Sequence, residues 1–403
     1  MKTGCVAVLC TALAVCVPSP SPAAEGMTLD SALELARQHS PALLAARGRV
    51  AEAAARLRAR PALRDNPEIE GSLGARQGAP STDFEVGVSQ TFELGGRGRA
   101  RRLGEEAALG RETADADETE RTVLREVRTA FLSGLHAGER IRLAHSVEAD
   151  AVELHRIAER RRASGDIADL EVNVAASGLA RARAELKAAE AAQAAALGDL
   201  RALLDLAPGE PVSLAGDLAH PRPYDPVQLL DTVDRRPEVR ALEAQLQEAE
   251  AEVRLGQGLA WPELTPAVRY ERDQGDRVWW AGLRITLPVF DRGQQLRAAG
   301  QARANRLRTE VEARKRVLRS QLQSLVAVHD LRLAAAAELS ANSGRLADNE
   351  ALARRSYEVG QIGLGELLLL KRESAESRRE WLNSLLELAQ SRAELESLAG
   401  GSR

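Results

Sequence analysis

The chain has 403 residues, 44% of them hydrophobic but only 3% aromatic, so its apolar share rests largely on alanine and implies close helix contacts in place of an aromatic core. Lys and Arg number 55 against 59 Asp and Glu, with both signs mixed along the chain, which argues against a basic face for nucleic acid. All three cysteines (Cys5, Cys10, Cys16) fall within the first 16 residues, which excludes a disulfide framework for the rest.

Residues 1–24 read as a secretory signal peptide. Lys2 precedes an apolar run from Cys5 to Val17, and Ser21-Pro22-Ala23-Ala24 supplies small residues suited to cleavage. The run is shorter than a membrane span requires. Leu13-Ala14-Val15-Cys16 resembles a lipobox, which makes Cys16 a candidate for lipidation, with Val15 where that motif wants a small residue. No other segment approaches 18 unbroken apolar residues, so a mature chain that crosses a membrane does so with strands.

A first repeat is expected over 25–206. Leu29–His39 is an amphipathic helix opened by Thr28 and Asp30; Ser40-Pro41 breaks it and starts another that runs to about Arg60. A strand is expected over 67–76, where Ile69, Leu73 and Ala75 alternate with Glu68, Glu70 and Ser72. A second is expected over 83–94, where Phe84, Val86, Val88 and Phe92 alternate with Glu85, Gly87, Ser89 and Glu93. Gly95-Gly96-Arg97 then opens a helix over 96–162, about 100 Å long at 1.5 Å per residue. The chain reverses at Ala163-Ser164-Gly165-Asp166. The return helix, 168–205, carries a seam from Val172 through Ala175, Leu179, Ala182, Leu186, Ala189, Gln193, Ala196 and Leu200 to Leu203, spaced alternately three and four apart. That is the pattern of an antiparallel coiled coil, and it needs a partner helix along its length.

A proline-rich connector, 207–226, leads to a second repeat over 227–403. Helices are expected from Val227 to about Arg235 and from Pro237 to Gly256, strands over 264–271 and 278–289, a long helix over 294–357 and a return helix over 364–398. Ser40-Pro41 matches Arg236-Pro237, Asn66-Pro67-Glu68 matches Trp261-Pro262-Glu263, and Ala163-Ser164-Gly165 matches Glu358-Val359-Gly360, at offsets of 195 or 196. A near-constant offset across three unlike motifs implies an internal duplication. The fold class is mainly α with a small β portion: two tandem repeats of long antiparallel coiled-coil helices, each with a β-hairpin. Four strands cannot close a barrel, since the smallest spanning barrels use about eight, and an open sheet in lipid leaves its edges unpaired. Several copies must therefore pool their strands.

The two-repeat layout, Leu94-Gly95-Gly96-Arg97-Gly98-Arg99-Ala100-Arg101 after the second strand, Leu287-Pro288-Val289-Phe290-Asp291-Arg292-Gly293 after the fourth, and Tyr357-Glu358-Val359-Gly360-Gln361-Ile362 at the second tip resemble the TolC-like outer-membrane efflux family. The Leu-Gly-Gly-Arg form more closely resembles its heavy-metal branch, of cobalt-zinc-cadmium type. The resemblance implies a homotrimer in outer-membrane lipid whose strands make a twelve-stranded β-barrel on an α-helical tunnel in the periplasm. It also implies partners: a periplasmic adaptor (membrane fusion) protein and an inner-membrane pump of the resistance-nodulation-division type. The adaptor-docking turns would be Gly165, Asp166, Gly360, Gln361 and Gly363. Where the family often has Ser, Thr or Arg three residues after the turn glycine, this chain has Ala168 and Gly363, so the resemblance carries the docking location and not individual contacts.

No catalytic constellation emerges, no cofactor is implied, and the chain does not read as an enzyme. The histidines (His39, His136, His145, His155, His220, His329) are scattered, and without Cys or neighbouring His a fixed transition-metal site is disfavoured. Gly96-Arg97-Gly98 lacks the third glycine and the acidic partner of a phosphate loop and reads as a strand-to-helix turn. The polar strand face, with Glu68, Glu70, Glu85, Glu93, Arg269 and Arg284, is expected to line a pore. Asp348, Glu350 and Glu358, with Arg354 and Arg355, are candidates for a gate at the second tip, because three-fold symmetry triples any inward carboxylate; solvated coiled-coil charge is the plainer alternative. The expectation is a passive exit duct for substrate delivered by the pump and adaptor, with heavy-metal cations as the substrate class that the metal branch implies. The alternatives are an envelope coiled-coil structural or adaptor protein without a channel, a duct for drugs or other organic solutes, and a periplasmic metal-binding protein.

Overall fold

The computed structural model describes residues 26–75, 82–207, 209–218, 224–273 and 276–398; the expected signal peptide, Cys16 and His220 lie outside the described residues. Helix α1 (Leu29–His39) opens with a reciprocal cap in which Ser31 N–H donates to Thr28 Oγ1 (3.3 Å) and Thr28 N–H donates to Ser31 Oγ (2.9 Å). Pro41 starts α2 (Pro41–Arg58), where its missing N–H has no intrahelical acceptor to leave unserved. That helix stops short of Arg60 because Pro61 disfavours helical backbone at the residue before it. Strands β1 (Glu68–Ala75), β2 (Thr82–Ser89) and β3 (Phe92–Glu93) lead into α3 (Arg97–Ala163), whose 67 residues extend about 100 Å, and α4 (Asp169–Leu203) runs back along it. The same order recurs: α5 (Pro226–Leu230), a 3-10 turn at Val233–Arg235, α6 (Pro237–Gly258), β4 (Glu263–Asp273), β5 (Asp276–Thr286), α7 (Gln294–Glu358) and α8 (Leu364–Leu398).

Three further element boundaries differ from expectation for identifiable reasons. The strand expected over 83–94 is broken at Gln90 and Thr91, opposite Pro266. Gln90 N–H donates to the Pro266 carbonyl (3.1 Å), but Pro266 has no N–H to return, and the ladder resumes only at Phe92. The strand expected to reach 289 ends at Thr286, two residues before Pro288. The helix expected over 227–235 splits after Leu230, where the Thr232 hydroxyl donates to the Leu229 carbonyl (2.7 Å) and competes with the backbone.

Helix α3 is the spine. Its first part is flanked by α2 and α6, through Arg49–Glu112 (3.7 Å) and Arg111–Glu248 (2.8 Å), and its later part by α4 and α8, through Arg183–Glu148 (3.4 Å) and Lys371–Asp150 (2.5 Å). The core is divided along this length. One cluster joins Leu33 and Ala36 of α1 to Val127 and Phe131 of α3 and Leu200 of α4; another joins Val239 of α6 to Leu318 and Leu322 of α7 and Leu395 of α8. All ten seam residues of α4 are buried or half-buried, and six of them are fully buried. On α8 the stripe at three-four spacing from Leu367 through Leu370, Ser374, Ser377, Trp381, Ser384, Leu388, Ser391 and Leu395 to Leu398 also turns inward, apart from the exposed Leu370. Alanine and serine at these positions let helix axes approach closely.

Candidate functional site

The strands form one antiparallel sheet in the order β1-β2-β4-β5, with β3 continuing the line of β2 beside β4. Directly opposed residues in such a sheet share a face. The register therefore puts Glu68, Glu70, Glu85, Glu93, Arg269 and Arg284 on one face, and Ile69, Leu73, Phe84, Val268, Trp279 and Leu283 on the other. The apolar face is open: Leu73 is 83% exposed, Ile69 75% and Trp279 71%, while Glu68, Glu70, Arg269 and Arg284 are exposed on the polar face. On the polar face Arg269 pairs with Glu85, Trp280 Nε1 donates to Glu271 Oε2 (3.2 Å), and buried Thr265 shares a hydrogen bond with Thr91 (3.0 Å). A sheet in water covers its apolar side. Among the described residues the outer edges of β1 and β5 have no partner strand.

Glu93 departs from the expected pore-lining set. Its side chain is only 9% exposed and is surrounded by Arg64 (3.3 Å), Arg97 (3.9 Å) and Arg101. It belongs to the junction where strands become helices. Gly96 and Gly293, at the starts of α3 and α7, take left-handed φ of 72° and 70°, and both turns rest on the end of α6. A Cβ on Gly293 would run into the Gly256 carbonyl, and one on Gly258 would stand 2.9 Å from the Gly95 carbonyl. Arg97 locks this junction. Buried almost completely, it donates from Nε to the Gly258 carbonyl (3.0 Å) and from Nη2 to the Trp261 carbonyl (2.6 Å), and it pairs with Glu263.

At the far end the two helix reversals close identically. Gly165 N–H donates to Arg162 O (2.9 Å) and Asp166 N–H to Arg161 O (2.8 Å); Gly360 N–H donates to Tyr357 O (3.1 Å) and Gln361 N–H to Ser356 O (2.8 Å). The turn glycines have φ of 83° and 76°, the left-handed step such closures need. A single apolar cluster containing Leu154, Ala158, Ala175, Tyr357, Leu364 and Leu367 ties both reversals together, and Gly165, Asp166, Gly360, Gln361 and Gly363 are all exposed on it. Of the five gate candidates, Glu350 pairs with Arg378 of α8 (2.8 Å) and Arg354 pairs with Glu358 along α7 (3.2 Å), whereas Asp348 and Arg355 are exposed. Further links between helices come from residues that the charge pattern did not single out. Lys371 of α8 reaches Asp150 of α3, and the Arg161 guanidinium of α3 sits 4.5 Å from the centre of the buried Tyr357 ring, donating to its carbonyl (3.3 Å). Asp150, Tyr357, Leu367 and Lys371 line a cavity of about 20 Å³, room for roughly one water.

Comparison with known proteins places this geometry. The model of the family described as outer membrane efflux protein matches residues 32–205. The chain is 30% identical over 303 residues to the pyoverdine export outer membrane protein OpmQ of Pseudomonas aeruginosa, an alignment covering 66% of this chain and 62% of that one. It is 29% identical over 233 residues to the cobalt-zinc-cadmium resistance protein CzcC of Cupriavidus metallidurans, covering 57% and 55%. Among solved structures, CusC superposes with a TM-score of 0.77 at 17% identity over 93% of this chain and 92% of that one, and the outer membrane protein VceC of Vibrio cholerae with 0.77 at 17% over 93% and 96%.

Over residues 32–205 the chain is similar to the outer membrane efflux protein family. The matches to OpmQ and CzcC span between half and two thirds of the length of those relatives. The likeness is to an outer membrane efflux family and to an outer membrane export protein, and not to enzymes. These two solved structures share its fold over 93% of the chain. For an outer membrane efflux protein this sheet has a physical reading: its exposed apolar side is suited to lipid and its charged side to water. Sequence reasoning missed Arg97, Lys371, Asp150 and Arg161. A buried arginine leaves no mark in an alternation pattern, and a cross-helix pair is separated by hundreds of residues.

Proposed function

We propose that the protein is the outer-membrane duct of a tripartite efflux system, a homotrimer in which three four-stranded sheets close one twelve-stranded barrel. The observation that carries this reading is the sheet with an open apolar face and two unpaired outer edges, which four strands alone cannot seal. The long helices would continue the bore into the periplasm, where the exposed reversals at Gly165-Asp166 and Gly360-Gln361 would meet an adaptor fed by an inner-membrane pump. Transport through it is passive, with solute leaving through the barrel past Glu68, Glu70, Glu85, Arg269 and Arg284. The Lys371–Asp150 pair and the Arg161–Tyr357 contact would hold the tip closed, with Glu350–Arg378 bracing α7 against α8.

The likeness to CzcC supports heavy-metal cations as the exported class, and the Leu-Gly-Gly-Arg turn agrees with it. The likeness to OpmQ supports a second reading, a duct for organic solutes. Deleting the gene and measuring tolerance to cobalt, zinc, cadmium, copper and organic toxicants separates the two. Lost metal tolerance is expected; unchanged metal tolerance with lost tolerance to organic compounds would assign the duct to organic solutes.

A further inference from the structure

The exposed apolar face of the sheet carries charge at one place. Its rows run Leu73–Phe84–Arg272–Arg277, then Gly71–Val86–Tyr270–Trp279, then Ile69–Val88–Val268–Ala281. Below these come Pro266–Leu283 and Phe92–Leu264–Ile285. Arg272 and Arg277 are thus the only charged residues on this face among the described residues, and they stand directly opposite each other. They occupy the end of the sheet farthest from the helices. From Arg272 down to Leu264 the strand extends about 26 Å at roughly 3.3 Å per residue, close to the height of the apolar band of a membrane barrel.

Two like charges facing each other across a strand pair repel and destabilise it. Nothing on the same face offsets them. Neither arginine has an ion pair or hydrogen bond from its side chain to a described residue, and the neighbouring Asp276 lies on the opposite face. Phe84 beside them and Tyr270 and Trp279 just beneath form a chain of rings with centroids 5.7 and 5.0 Å apart, the kind of aromatic girdle that marks a lipid–water boundary. Arginines at that level reach the headgroup layer, where a guanidinium fork binds phosphate oxygens in pairs.

We propose that Arg272 and Arg277, with Trp279 and Tyr270 beneath them, bind the phosphate groups of a phosphorylated glycolipid in the outer leaflet. The phosphate would relieve the arginine repulsion while the acyl chains cover the apolar rows, giving three such sites per trimer. This rests on the outer-membrane duct proposed above, since only that orientation puts the hairpin ends at the outer leaflet.

The full-length protein in phosphatidylethanolamine nanodiscs can be titrated with bisphosphorylated lipid A, with dephosphorylated lipid A and with inorganic phosphate, following tryptophan emission and native mass. Parallel recordings in planar bilayers test the duct. Wild type is expected to bind the bisphosphorylated lipid at least tenfold more tightly than the R272Q/R277Q variant and tenfold more tightly than it binds the dephosphorylated lipid. The R272K/R277K variant should fall between, and conductance should be unchanged in all three proteins. Equal binding by wild type and the Gln variant, equal binding of the dephosphorylated lipid, or full competition by inorganic phosphate would overturn the site while pores still form. Failure to form pores at all would overturn the duct and this site together.

Discussion

Arg97 shows how one side chain can hold two halves of a long molecule in register. Its guanidinium binds two carbonyls at the end of α6 and the carboxylate of Glu263, all more than 160 residues away in the chain. Replacing it by Met leaves Glu93 and Glu263 poorly compensated at a buried junction, and loss of one partner from a buried pair costs about 3–5 kcal/mol. Arg97→Met should therefore lower the denaturation midpoint sharply, measured by chemical unfolding, whereas Arg99→Met, at an exposed neighbour, should not. His136 gives a pH prediction. Burial lowers its pKa below the ordinary 6.5, and the nearby Arg140 lowers it further, against a hydrogen bond to Asn383 Oδ1 (3.1 Å) that raises it. The folded chain thus takes up this proton less readily than the unfolded chain. The residue costs no stability above the ordinary range, and stability falls as pH drops through 6.5. His136→Gln should flatten the decline in melting temperature between about pH 7 and pH 5; an unchanged decline would show that His136 does not drive it.

At the scale of elements, the reversals and the helix starts are the fixed points. Gly293→Ala adds a Cβ where φ is left-handed and the Gly256 carbonyl is already in contact, so α7 should lose its seating on α6 and the folded yield should drop. Lys371 and Asp150 are partly exposed, so the pair is worth only about 0.2–1 kcal/mol per copy, but in the proposed trimer three copies would act on one opening. Lys371→Asp should raise the open fraction in single-channel recordings, and adding Asp150→Lys should restore closure. Reversing the charges of Asp348 and Glu350 should change conductance or cation preference if they face the bore; unaltered values would remove them from the gate. The long elements were legible in the sequence because alanine seams and period-two alternation leave repeating marks. The interruption at Gln90–Thr91 was not, because it arises from Pro266, a residue on the neighbouring strand. Glu93 alternates with the pore-face carboxylates and shares their face, yet its burial by three arginines depends on residues brought in by the turn and by the preceding segment.

For the whole molecule, the central claim is that one copy is an incomplete wall. An apolar face left open on a sheet with two bare edges is unstable in water and unsealed in lipid, and both defects vanish only if β1 of one copy meets β5 of the next. The chain has no cysteine after Cys16, so single cysteines introduced along β1 and β5 provide a clean test. Oxidation of paired variants, scanned over successive positions on the two edges, should yield a covalent trimer on a non-reducing gel wherever the paired residues share a face. Monomers at every position would contradict the shared barrel.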